Sequence, residues 1–239
     1  MKPELASLPV FHYRIHGLLI ESQLDLHVDV PNVAPGLQSD KPDVFIYNNP
    51  PSNDWTSRDN VSQFAYFKYD NSRNFYCEVP DLGRIWAHSG TAIHVQALVG
   101  ARISDLAAYI LGTGIGAILH QRQTLVLHGN AISVNGNTLL CLGDSGAGKS
   151  TLSAALVQLK GQLLADDVVS IGDNGVVQPG LPRIKLWQHS LSLLTMTPQG
   201  LERVLHKENK YIWPQHTSLS VQAPVNTIAI LSNVPEKEL

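Results

Sequence analysis

Residues 131–152 read AISVNGNTLLCLGDSGAGKSTL, and this stretch decides how the second half of the chain folds. Ile132–Val134 and Thr138–Leu142 are strand-like, with Asn135-Gly136 between them. That dipeptide is a strong hairpin signal, because a type I′ turn needs positive φ at both central positions. Gly143-Asp144-Ser145-Gly146-Ala147-Gly148-Lys149-Ser150 then fits G-x-x-x-x-G-K-[ST] at every position. Glycines let such a loop curl until successive N–H groups converge on an anion, and the helix that follows adds its positive end. Lys149 is expected to reach the β- and γ-phosphates of ATP and the Ser150 hydroxyl to ligate Mg²⁺, with Thr151 continuing the loop into the helix. By average residue usage, a chance match in a chain this long is on the order of one in a hundred. The strand feeding the loop is thus the second arm of a hairpin, whereas most phosphate loops follow a strand of a parallel βαβ unit.

Around this stretch the chemistry-bearing residues recur at short range. Ser150–Lys160 reads as an amphipathic helix stopped by Gly161, and "GQLLADDVVSIG", residues 161–172, follows. Asp166 and Asp167 interrupt an apolar strand, where carboxylates are costly to bury without partners. Side chains alternate across a strand, so the two are expected to point in different directions. One can hold Mg²⁺ beside Ser150, and the other can face an acceptor hydroxyl. Upstream, Thr124–Leu127 reads as a short strand ending at His128, which is either structural or part of the site. In "PGLPRIKLW", residues 179–187, Arg183 and Lys185 share one face. They either meet phosphate charge, as cations do at a transferring phosphoryl group, or guard a solvated edge. Arg203, Lys207 and Lys210 either face an acidic substrate or form an ordinary solvated face. A base near an acceptor hydroxyl suits a kinase, while a hydrolase needs a residue to orient water.

The rest of the chain sets bounds. At 239 residues, with 44% apolar and 15% charged residues, it can bury a core, and a net charge of −3 gives no basic field for nucleic acid. The longest uncharged apolar run, Leu106–Leu119, is too short for a bilayer span and reads as a buried helix; no membrane association is expected. The N-terminus "MKPELASLPVF" lacks a signal-peptide core, and Cys77 and Cys141 read as two buried, reduced thiols of a cytoplasmic protein. Asn60-Val61-Ser62 matches a glycosylation sequon without a secretory signal to support it. Residues 1–100 read as a β-rich region with strands at Phe11–Ile20, Asp43–Tyr47, Phe64–Tyr69, Asn74–Val79 and Ile93–Leu98. "NVAPGLQSDKP" and "NNPPSNDWTSRDN" read as loops, and His12, His16 and His27 show no ligand spacing. Residues 101–239 form the second region, opening on a helix with Ser104 as N-cap and Gly112, Gly114 and Gly116 serving close packing.

Taken together, "HGNAISVNGNTLLCLGDSGAGKSTLSAALVQLKGQLLADDVVSI" resembles the catalytic domain of HPr kinase/phosphorylase and the wider group of HPr-kinase-like serine kinases. The match covers roughly residues 104–190. "YILGTGIGAILHQRQTLVLHG" and "PGLPRIKLW" resemble the HPr-kinase-related proteins found beside ribosomal-peptide and lasso-peptide biosynthesis genes. The resemblance implies an α/β (α+β-like) kinase core related to phosphoenolpyruvate carboxykinase, preceded by the β-rich region. Carried over, Asp166 is the base taking the serine proton, Asp167 sits near Mg²⁺ and His128 lies beside the pair and tunes it. Thr151 stands where the bifunctional enzymes carry Glu, and their later Gly-Arg-Asn signature is absent, so phosphorylase activity and HPr as substrate are not implied. The chain stops at Leu239, soon after "VNTIAILSNV", where related proteins run on, which points to a short or truncated form. HPr kinases form ring-like oligomers; no interface for one is legible in this sequence. The expected activity is Mg·ATP-dependent phosphorylation of a serine on a protein or peptide, with a precursor peptide as the favoured acceptor. The alternative is a nucleotide-binding accessory protein without phosphoryl transfer.

Overall fold

The N-terminal region forms a sheet from short runs of apolar residues: Tyr76, Cys77 and Val79 are buried in Phe75–Val79, and Ile85, Trp86 and Ala87 in the paired Gly83–His88, with Glu78 and Arg84 left exposed. A computed structural model describes residues 9–28, 41–53, 55–56, 61–64, 66–215 and 221–232. It is a mixed α/β structure, mostly sheet with few helices, in two units that divide at Arg122/Gln123. Asn60 of the sequon and most of the loop "NVAPGLQSDKP" lie outside the described residues.

The first unit holds β1 (Phe11–Ile15), β2 (Leu18–Ser22), β3 (Val44–Tyr47), β4 (Ser62–Phe64), β5 (Phe67–Tyr69), β6 (Phe75–Val79), β7 (Gly83–His88) and β8 (Ala92–Ala97). Their order in the sheet is β1-β2-β3-β8-β7-β6-β5-β4, with β3 parallel to both β2 and β8. The strand expected over Phe11–Ile20 is two, because His16 (φ 54°) and Gly17 (φ 77°) both take the left-handed conformation and turn the chain back. β7 was not anticipated from "GRIWAH", whose alternation is broken by three consecutive buried residues, Ile85, Trp86 and Ala87.

One continuous helical run covers a face of this sheet: α1 (Ile103–Tyr109), a π-helical turn (Ile110–Gly114) and α2 (Ile115–Gln121). Its N-cap is Arg102, with no side-chain cap, so Ser104 does not play that part. The run is longer than Leu106–Leu119 and is the one helix among the described residues long and apolar enough to cross a membrane by length and composition. Here Leu106, Ile110, Leu111, Ile115, Ile118 and Leu119 are buried instead. At Gly114 an added Cβ would lie 3.4 Å from Ile93 Cδ1, so the helix rests directly on the sheet. Gln121 then ties the helix end down, accepting from the Gly90 N–H and donating to the Ala87 and Arg73 carbonyls. This docking moves the boundary from the expected residue 100 to Arg122.

The second unit holds β9 (Leu125–Val134), β10 (Asn137–Gly143), α3 (Lys149–Gln158), β11 (Gln162–Ile171), β12 (Val176–Val177), β13 (Arg183–Trp187), α4 (Gln188–Leu193), β14 (Glu202–Arg203), β15 (Lys210–Pro214) and β16 (Ala223–Leu231). Strands β10-β16-β12-β11-β9 close a barrel, and β13-β15-β14 form a small separate sheet. Asn135 (φ 51°) and Gly136 (φ 80°) make the expected hairpin turn between β9 and β10. On its other edge β10 runs parallel to β16, so the strand feeding the loop is antiparallel on one side and parallel on the other. Alternate residues of β9 serve two cores. Ala131 joins Leu140, Leu164, Ala165, Val169 and Val177, while Ile132 joins Cys141, Ala154, Leu163, Ile184, Leu186 and Leu191. Each fully buried Leu or Ile contributes about 1.5–3 kcal/mol. The second core clamps α3 and β13 to the barrel and thereby fixes the loop that precedes α3.

Candidate active site

The glycine loop leaves β10 at Gly143 (φ 141°), where an added Cβ would lie 2.3 Å from the Leu231 carbonyl oxygen of β16. Gly146 (φ 86°) and Gly148 (φ 95°) are left-handed, and an added Cβ at either would meet nothing within 4 Å. Gly148 caps α3, whose first-turn N–H groups point back toward the loop. Asp144, Ser145 and Gly146 are exposed, and Ala147 closes the loop by donating its N–H to the Asp144 carbonyl at 3.2 Å. Lys149 is buried. Its ammonium folds over the loop entrance and donates to the carbonyls of Gly143 and Asp144 at 2.7 and 2.9 Å.

Sixteen positions past Ser150, Asp166 is 7% exposed. Its Oδ1 accepts from the Ser150 hydroxyl at 3.3 Å and from the Asn130 amide, and its Oδ2 accepts from the Lys185 backbone N–H at 2.9 Å. Burial raises the pKa of this carboxyl, against the opposing charges of Lys185 and Lys210. Asp167 behaves oppositely. Burial pushes its pKa up, but the His128 hydrogen bond and the Lys185 charge outweigh burial and hold it below the ordinary carboxylate range. Lys185 Nζ stands 2.5 Å from Asp167 Oδ2.

His128 Nδ1 lies 3.3 Å from Asp167 Oδ1 and 3.1 Å from the Asp167 carbonyl oxygen. Both neighbours are acceptors, so Nδ1 carries the proton and donates. The side chain is 60% exposed.

Two expectations change here. His128 does not end a strand; β9 runs on through it, because β9 pairs with β11 from Leu125↔Ile171 to Ser133↔Gln162. The two carboxylates, expected to point in different directions, hold different partners: Asp166 meets the Ser150 hydroxyl, the Asn130 amide and the Lys185 N–H, while Asp167, left-handed at φ 75°, meets His128 and the Lys185 amine. Finally, the carboxylate beside Ser150 is Asp166, expected as the base, whereas Asp167, expected near Mg²⁺, is held by Lys185 and His128.

Arg183 shares the strand face of Lys185 and is buried at 8% exposure. The Thr151 hydroxyl donates to Ser190 of α4 at 2.9 Å and pins the two helices together. Asn130 was not singled out from sequence, although an Asn inside the apolar run of β9, two residues from His128, was a readable signal.

Among the described residues no group of three or more His, Cys, Asp or Glu side chains is arranged to hold a metal ion. The neighbouring Ser150 hydroxyl and Asp166 carboxylate are hard oxygen donors. They fit Mg²⁺, which uses one or two protein ligands and completes its shell with phosphates and water. No family model matches the chain, and no curated protein matches it.

Proposed function

We propose that this protein is a Mg·ATP-dependent kinase that transfers the γ-phosphate to a serine hydroxyl of a protein or peptide, working in the cytoplasm on an HPr-kinase-like core. The observation that carries the reading is a single constellation. A G-x-x-x-x-G-K-S loop opens a helix, its serine touches one buried carboxylate, and the adjacent carboxylate orients a histidine.

In this reading the loop N–H groups and Lys149 hold the β- and γ-phosphates. Ser150 and Asp166 hold Mg²⁺, which when bound neutralises phosphate charge. Asn130 and the Lys185 N–H keep the Asp166 carboxylate oriented. Asp167 fixes the His128 tautomer, and His128 Nε2 takes the proton from the acceptor hydroxyl. The acceptor oxygen then forms its bond to the γ-phosphorus, the bond from that phosphorus to the β,γ-bridging oxygen breaks, and ADP leaves. This division of labour gives the metal to Asp166 and the proton to the Asp167–His128 pair, the reverse of what the family resemblance implies.

The test is to incubate the protein with Mg·ATP and serine peptides, including precursor peptides encoded nearby, and to read phosphoserine by mass spectrometry. Phosphoserine on a peptide is expected. Nucleotide binding without phosphoserine on any acceptor supports the accessory-protein alternative and refutes the kinase.

A further inference from the structure

The small sheet β13-β15-β14 turns toward the acidic pair a face that phosphoryl transfer does not use up. Ile184 and Leu186 are buried in the core, so alternation places Arg183, Lys185 and Trp187 on the opposite face. Lys185 reaches Asp167 from that face. Trp187 follows two residues on, about 7 Å further along the strand, and is 43% exposed. Its cross-strand partner is Lys210, whose Nζ stands 5.3 Å from the indole centroid.

The cations near the site differ in what they already hold. Lys185 is neutralised by Asp167, and Lys149 is spanned by the loop carbonyls. Lys210 forms no ion pair with a carboxylate among the described residues, although its charge reaches Asp166. An ammonium resting on an indole has lost part of its water shell and gains from an anion that restores its hydrogen bonds. An exposed indole likewise gains from being covered.

We infer that Trp187 and Lys210 recognise the acceptor: an Asp or Glu of the peptide, close in sequence to the phosphorylated serine, pairs with Lys210 while the neighbouring peptide covers the indole. The inference rests on the kinase reading above and adds the substrate class, an acidic serine peptide.

A positional-scanning library of serine peptides, presented with Mg·ATP, tests it. Wild-type protein is expected to favour Asp or Glu at a position flanking the serine by about tenfold. Lys210→Gln should flatten that preference, and Lys210→Glu should turn it toward Lys or Arg, which a merely structural role does not produce. Trp187→Ala should weaken transfer to acidic peptides about tenfold, with KM for Mg·ATP unchanged. Transfer without an acidic preference in the wild type, or the same preference in Lys210→Glu, overturns the inference and leaves the kinase reading standing. Loss of Mg·ATP binding in Lys210→Gln assigns Lys210 to the nucleotide and also overturns it. Nucleotide binding with no transfer to any peptide by the wild type refutes the kinase reading and this inference with it.

Discussion

Replacing Asp166 by Asn separates the two roles a carboxylate can play at this site. The side chain is 7% exposed and accepts from Ser150, Asn130 and the Lys185 N–H. Asn keeps the shape and one acceptor oxygen. That oxygen can stay on the Lys185 N–H, while the new NH₂ faces Ser150, whose hydroxyl can accept, and Asn130, whose amide can flip. Weakened charge-assisted hydrogen bonds cost about 1.5–3 kcal/mol. Against this, the variant removes a charge that burial disfavours, as the raised pKa of Asp166 indicates. The two effects offset, and net stability should change by no more than about 1–2 kcal/mol. Function should respond far more strongly. With one of two protein oxygen donors gone, Mg²⁺-dependent nucleotide affinity should fall at least about 10-fold and transfer about 10²–10³-fold. A fluorescent ATP analogue titrated with and without Mg²⁺, beside urea denaturation, measures both. Mg²⁺-dependent binding equal to wild type would refute the metal assignment; loss of transfer alone would return Asp166 to the role of base.

Other consequences follow from the same geometry. His128→Ala and Asp167→Asn should each lower transfer about 10²–10⁴-fold and leave Mg·ATP binding near wild type; a loss confined to binding would contradict the proton-accepting role. Gly143→Ala drives a Cβ into the Leu231 carbonyl, and should cost about 3 kcal/mol or more, whereas Gly146→Ala meets open space and should cost only about 1–2 kcal/mol of left-handed strain. Equal urea midpoints for the two would contradict the loop geometry. In the first unit the stacked pair His88 and His94 have pKa values lowered by burial, and for His88 also by His94. The unfolded chain therefore takes up protons first on acidification, and stability should fall as pH drops below about 6.5. Urea midpoints at about pH 7 and pH 5.5 read this, and replacing both by Gln should flatten the dependence.

What could be read from sequence was local. Asn135-Gly136 and the spacing from Gly143 to Ser150 encode turns in a few adjacent residues, and both appear in the structure. The strand through Asp166 and Asp167 was legible from its apolar flanks, but the partners of the carboxylates were not, because Asn130 and His128 lie on a strand more than thirty residues away. Lys185 was visible as a cation on the right face, but its partner, Asp167, is fixed by how β13 packs on the barrel. The unit boundary was misplaced for a similar reason: the helix has an apolar stripe that fits any sheet, and the Gln121 and Arg122 bonds that assign it to the first unit are long-range.

The most direct measurement is the fate of the γ-phosphate in a single turnover. The protein is loaded with γ-labelled ATP and Mg²⁺, mixed with an excess of serine peptide, and the label is divided between phosphoserine and inorganic phosphate. The account expects most of the label on serine in the wild type, and ATP left intact in His128→Ala despite normal binding. Label released mainly to water, or bound ATP that never turns over in the wild type, would contradict it.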